Sequence, residues 1–212
     1  MSNEKNQEIR LSKALKLHPQ IKVVSKLGNG NKGVAYLTED GRVIKITIDR
    51  EEYSTALALK GKTLKHIIDI YDCWRFKCVY DDGDFDNLFC LFEEYVDTIS
   101  QKDVVIKFVS LFKHAWFSKY FPDFEGGLGT FDDLNRCMRN PFKYSKAINY
   151  TKQFILTEGE ILGLENQFEV IYNQLAFAYL ELHKNAPKSH LDLNDGNIGF
   201  TSKGVLKIFD MQ

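Results

Sequence analysis

The chain has 212 residues, 28 Lys+Arg against 29 Asp+Glu, a net charge of −1, and 44% hydrophobic and 27% charged residues. That length suits one two-lobed unit or two small domains, and that composition excludes a disordered chain. The near-neutral charge gives no bulk electrostatic basis for nucleic-acid or membrane binding, and no apolar run approaches the ~18 residues of a membrane helix.

Residues 1–17 are polar and charged, without the apolar core of a signal peptide. They predict a short amphipathic helix or arm, with Ile9, Leu11, Leu15 and Leu17 as its apolar contacts. Ile21 to Leu27 reads as a strand, followed by a glycine cluster and a second strand at Val34-Ala35-Tyr36-Leu37. Glu39-Asp40-Gly41 is a hairpin turn signal, and Arg42 to Ile48 is a third strand rich in β-branched residues. Asp49 is a good N-cap for a helix running to about Lys60, with Glu52 at the capping-box position and Gly61 as the stop. Trp74 to Tyr80 and Leu88 to Tyr95 are two further strands, separated by the polar turn Asp81 to Asn87.

The pattern changes after residue 97. Asp103 to Tyr120 has helical periodicity, and Gly126-Gly127-Leu128-Gly129 and Asn140-Pro141 are breakers. Gly159 to Lys184 reads as the longest helix, with Ile161, Leu164, Phe168, Ile171, Leu175, Ala178, Tyr179 and Leu182 at core spacing. Ile198 to Thr201 and Val205 to Phe209 are short strands. The expected class is α+β: a five-stranded, strand-rich lobe over 1–97 and a mainly helical lobe over 98–212. The cysteines Cys73, Cys78, Cys90 and Cys137 lack paired or metal-ligand spacing, which suits buried or free thiols in a reducing cytoplasm.

Three groups of residues carry chemistry. Gly28-Asn29-Gly30-Asn31-Lys32-Gly33 fits G-x-G-x-x-G, but it joins strand to strand where a dinucleotide site would join strand to helix. Glycine lets backbone amides approach a phosphate because it has no Cβ. Lys45 lies mid-strand among Val43, Ile44, Ile46 and Ile48, where it is either a solvated strand lysine or a phosphate contact. Glu51 and Glu52 are its candidate partners. Glu52 shares a helical face with Ala56 and Leu59 and is favoured, although the capping box alone could account for it. The third group is His190-Leu191-Asp192-Leu193-Asn194-Asp195-Gly196-Asn197, with Asp210 thirteen residues on. Asp192 can orient a hydroxyl nucleophile, and Asn197 and Asp210 offer hard oxygen donors to Mg²⁺ bridging phosphates. His190 reads as a loop support, and Asp195 as an acid supporting the site from behind or, the favoured reading, an exposed turn residue.

Together these residues resemble the protein-kinase-like superfamily, whose signatures H-R-D-L-x-x-x-N and D-F-G appear here as H-L-D-L-x-x-x-N and D-M-Q. The style of Leu-Gly-Asn-Gly, Val-Ile-Lys and Asp-Gly-Asn-Ile looks most like the compact protein kinases of bacteriophages. It is also similar to the aminoglycoside and choline kinase group. The resemblance implies a two-lobed kinase-like fold with a truncated helical lobe, ATP and Mg²⁺ as ligands, and Asp192 and Lys45 as catalytic residues. Gly28, Asn29, Gly30, Gly33, Lys45 and Glu52 would hold the nucleotide phosphates. Phe92-Glu93-Glu94-Tyr95-Val96 resembles the inter-lobe hinge, so the backbone of Glu94 and Val96 would meet adenine. Asn197 and Asp210 would be the metal ligands.

Leu191 departs from the arginine that anchors a phosphorylated activation loop, so such regulation is not expected. Met211-Gln212 replaces Phe-Gly, and no peptide-docking segment of the usual kind is expected. The expected activity is transfer of the γ-phosphoryl group of ATP to serine or threonine of a protein, in the host cytoplasm if the chain is phage-encoded. The alternatives are a turnover-deficient kinase-like protein that acts by binding a host partner, and a small-molecule kinase. Neither a nucleic-acid nor a membrane partner is expected.

Overall fold

The computed structural model describes residues 3–120, 145–191 and 194–211. The glycine run at 126–129 and Asn140-Pro141 lie outside them. The chain divides into two compact units: one comprises Met1–Thr63 and Ile68–Tyr95, the other Leu64–Ile67 and Val96–Met211. Residues 64–67 thus depart from a simple division at residue 97. The protein is α+β, with a five-stranded antiparallel sheet and, among the described residues, five α-helices. No described helix is long and apolar enough to cross a membrane.

The first unit opens with α1 (Asn3–Leu15). Its sheet comprises β1 (Val23–Asn29), β2 (Gly33–Thr38), β3 (Val43–Thr47), β4 (Ile70–Val79) and β5 (Phe85–Glu93), in the order β1-β2-β3-β5-β4. Helix α2 (Arg50–Leu59) lies between β3 and β4 in sequence. Because side chains alternate along a strand, β3 has two faces. Ile44 and Ile46 are buried in a cluster with Ala14, Tyr36, Trp74, Cys90 and Phe92, against which α1 places Ile9, Leu11 and Leu15. Lys45 belongs to the opposite face.

β4 begins at Ile70, four residues before the strand expected from sequence at Trp74. Its first residues read poorly because Ile70-Tyr71-Asp72 contains a register shift, with Ile70 opposite Glu93 and Asp72 opposite Phe92. Cys73, Cys78 and Cys90 are buried free thiols.

The second unit holds α3 (Lys102–Tyr120), α4 (Ser145–Ile161), α5 (Glu165–Asn185) and a hairpin of β6 (Ile198–Phe200) with β7 (Leu206–Ile208). The single helix expected over 159–184 is instead the end of α4 and all of α5. Gly163 breaks it in the left-handed region at φ 68°. Leu164 N–H donates to Gly159 O at 2.7 Å and Gly163 N–H to Glu160 O at 3.0 Å, the two bonds of a Schellman cap. The apolar period runs across the break, which disguised it. The expected face is buried at Phe168, Ile171, Leu175, Ala178, Tyr179 and Leu182, whereas Ile161, expected on the same stripe, is exposed at the end of α4. Phe108 of α3 meets Phe168 edge-on at 5.6 Å.

Residues 64–67 are held within this second unit by polar bonds. Glu181 accepts from the amides of Lys65 at 3.1 Å and His66 at 2.7 Å. The buried Lys207 ammonium donates to the carbonyls of Leu64 at 2.9 Å and Ile67 at 3.0 Å. Ile208 N–H donates to His66 O at 2.9 Å, extending the β7 edge.

Candidate functional site

In the first unit, β1 and β2 pair as far as Asn29 opposite Val34, and Gly30 N–H donates to Gly33 O at 2.9 Å, closing the loop. The three glycines differ in what their surroundings demand. A Cβ on Gly33 would lie 2.5 Å from the carbonyl oxygen of Ile46, so the β2–β3 pairing itself requires glycine there. A Cβ on Gly28 or Gly30 would meet nothing within 4 Å, and neither has a left-handed φ. The packing of the chain therefore explains Gly33 and leaves Gly28 and Gly30 without an internal reason. Asn29 lies beside them on an exposed stretch of β1.

Lys45 stands in the middle of the sheet, opposite Ala35 on β2 and Leu91 on β5. It is not the solvated strand lysine that its sequence context allowed. Its Nζ is 2.5 Å from Glu52 Oε1, and the two side chains are only 15% and 4% exposed. Glu52 reaches it because α2 starts three residues after β3, placing position 52 in the first turn on the buried face with Thr55, Ala56 and Leu59. Glu51 is exposed. Asp49 caps the helix, accepting from the amides of Glu51 at 2.9 Å and Glu52 at 3.3 Å. The Asp49 amide donates to Thr47 Oγ1 at 3.0 Å, so Thr47 serves that amide while the Glu52 carboxylate pairs with Lys45.

Sequence reasoning assigned Asp49 only to the helix cap. Its second oxygen also accepts from Lys32 Nζ at 2.6 Å, tying the glycine loop to the start of α2. Burial pushes the Asp49 carboxyl up, but the Lys32 hydrogen bond and the two helix amides outweigh it and hold the group below its ordinary value. A lysine inside the glycine motif, facing an aspartate just after the third strand, was the available signal.

Glu94 follows β5 and is engaged with Asp69: Glu94 N–H donates to Asp69 O at 2.9 Å, and Asp69 N–H to Glu94 Oε2 at 3.1 Å. Val96 belongs to the second unit, buried beside β6. A Cβ on Gly199 would lie 2.5 Å from Val96 Cγ2, so Gly199 is glycine to admit that valine. Asp97 and Phe200 exchange backbone hydrogen bonds at 3.0 and 2.8 Å next to it.

Also in the second unit, Asp192 lies outside the described residues, as does Leu193. The segments around them are ordered by specific bonds. Leu191 is fully buried and bridges Met211 in antiparallel fashion. Asn194 accepts from Gly196 N–H at 2.9 Å and so caps the 3₁₀ turn Asp195–Asn197. The β6–β7 hairpin turns at Gly204, whose φ is 74°. It returns the chain so that Phe209 N–H donates to Asn197 O at 3.1 Å, placing the Asp210 backbone one residue from that bond. Asp210 has φ 58°, the one positive φ of a non-glycine residue among those described. Aspartate tolerates this region better than most residues, yet it remains sparsely populated and gathers at functional sites.

Asn197 and Asp210 supply hard oxygen donors, one from an amide and one from a carboxylate, which fits Mg²⁺. Among the described residues, no group of three or more His, Cys, Asp or Glu could hold a metal. A two-ligand site completed by substrate phosphates and water is of a different kind, and the donor set fits it. The structure thus joins Lys45 to Glu52, and the backbone of Asn197 to the approach of Asp210, each within its own unit. No protein-family model matches the chain, and no curated protein matches it.

Proposed function

We propose that the protein is an ATP- and Mg²⁺-dependent phosphotransferase of the protein-kinase-like class, acting on a hydroxyl group of a protein serine or threonine. The observation that carries this reading is the buried Lys45–Glu52 pair on the central strand of a sheet that opens with a glycine loop. A charged pair in such a place is expensive to desolvate and is a poor way to stabilise a fold. Its use is to hold an ammonium in one position, as phosphate binding needs. Gly28 and Gly30 support the same reading, since backbone amides can come close to phosphate oxygens there without side chains intervening. The carbonyl side of Glu94 and the Val96 backbone are the proposed adenine contacts.

Mg²⁺, when bound, neutralises phosphate charge and aligns the phosphates for transfer. Asn197 and Asp210 are the residues that would hold it. Asp192 is proposed to orient the accepting hydroxyl. The three buried free thiols support a reducing cytoplasmic setting.

Incubation with γ-labelled ATP, Mg²⁺ and cell lysate is the test. Labelled protein bands that disappear in Asp192→Ala support the proposal, since loss of a positioned base costs about 10²–10⁴-fold in rate. Label appearing only in small molecules would move the substrate to a metabolite. Nucleotide binding without transfer would leave a kinase-like binding protein.

A further inference from the structure

We propose that a groove between α2 and the β4–β5 ribbon is a docking site for an acidic peptide segment, carrying an aromatic side chain, of a partner protein. The groove, about 790 Å³, is lined by Arg50, Tyr53 and Ser54 of α2, by Arg75, Phe76 and Lys77 of β4, and by Asn87 and Phe89 of β5. Its construction follows from register: Arg75 lies opposite Phe89 and Lys77 opposite Asn87, so these four alternate side chains share the face toward α2. Tyr53 stacks on Phe89 with ring centroids 4.6 Å apart, giving the groove an aromatic wall.

The charge is one-sided. Three cations and no carboxylate line the groove, on a chain whose net charge is −1. Among the described residues, no carboxylate pairs with Arg50, Arg75 or Lys77, and Lys77 meets the ring of Phe85 at 3.7 Å. The neighbouring acid on β5, Asp86, is taken by Arg10 at 2.8 Å and Tyr80 at 2.5 Å. Arg50 also sits in the first turn of α2, where the helix dipole disfavours a cation. Neither arginine has an acidic partner among the described residues and Lys77 has only the Phe85 ring, which points to an anionic occupant.

The aromatic wall adds the second half of the specificity: an apolar ring to fill the groove beside carboxylates that meet its cations. A nucleic acid is the poorer fit. Three cations in one groove give too short a basic track for a polyanion that depends on many phosphate contacts.

The experiment is fluorescence anisotropy with the full chain and labelled short peptides. One probe has two phenylalanines among glutamates, one replaces the phenylalanines with alanine, and one replaces the glutamates with lysine. A labelled oligothymidine is the fourth probe. The expected result is saturable, salt-sensitive binding of the acidic aromatic peptide alone. The exposed double variant Arg75→Glu, Lys77→Glu, with an unchanged circular dichroism spectrum, should weaken it at least about tenfold. Asp210→Asn, in the other unit, should leave it intact, separating the groove from the nucleotide reading. No saturable binding of the acidic aromatic peptide, equal binding by the double variant, or tighter binding of oligothymidine would overturn the proposal.

Discussion

Lys45 and Glu52 form a pair in which each side chain makes the burial of the other tolerable. Taking away one partner strands a charge at a site with little water. We expect Lys45→Met and Glu52→Leu each to lower stability by about 3–5 kcal/mol, the usual cost of breaking a buried pair. The double variant should recover most of that loss, because two apolar groups need no compensation. Phosphoryl transfer should stay absent in all three. Urea denaturation with a labelled-ATP assay on the same samples separates the two effects, and a double variant no more stable than the singles would remove the coupling. This pair was half legible in the sequence. The family resemblance suggested a role for Lys45, and the apolar companions of position 52 selected Glu52 over Glu51. The depth of the pair was not legible, because Lys45 in an alternating strand reads equally well on a solvated face. The answer lies in α2, which covers that face.

Helix ends decide the element scale. Asp49 caps α2 and holds Lys32 at once, so Asp49→Ala should cost about 0.5–2 kcal/mol as a lost cap and also release the glycine loop. The carboxyl titrates below its unfolded-state value. Its contribution is therefore complete above about pH 4 and is lost as pH falls through the folded-state value. Amide exchange at Glu51 and Glu52, followed by NMR as pH is lowered, should quicken in the native chain beyond the ordinary pH dependence of exchange. Asp49→Asn should remove the extra step. An extra step that survives in Asp49→Asn would assign it to another carboxylate.

The α4–α5 junction makes a second prediction at this scale. Gly163 sits at φ 68°, and a Cβ on Gly159 would meet Phe168 Cδ2 at 3.0 Å and Glu165 Cα at 3.1 Å. Gly163→Ala should cost about 1–2 kcal/mol through the left-handed backbone, and Gly159→Ala about 1–3 kcal/mol through overpacking. Thermal unfolding of both variants checks this; unchanged melting for both would leave the junction unexplained. The sequence showed the apolar stripe of α5 because burial imposes the helical period. It hid the break because the stripe continues through Ile161 and Leu164, and a single glycine gives only a weak stop signal.

On the scale of the whole molecule, the chain does not divide at one point. It leaves the sheet-bearing unit at Leu64, returns at Ile68, and leaves again at Val96. Composition could show that strands precede helices, since that change spans dozens of residues. It could not assign four residues to the helical unit, because their attachment rests on backbone amides and carbonyls that no side-chain pattern reports. The bonds themselves make the assignment testable. Glu181 accepts two amides from this segment, and hydrogen bonds to a charged group contribute about 1.5–3 kcal/mol each. Glu181→Gln keeps the shape, removes the charge and turns a donor, its side-chain amide NH2, toward one of those backbone N–H groups. It should quicken hydrogen exchange at Lys65, His66 and Ile208, whose amides belong to this one network. Exchange in the β1–β2 ribbon should stay as it was. Equal acceleration in both places would mean that the variant loosens the whole chain, and that residues 64–67 carry no separate connection to α5 and β7.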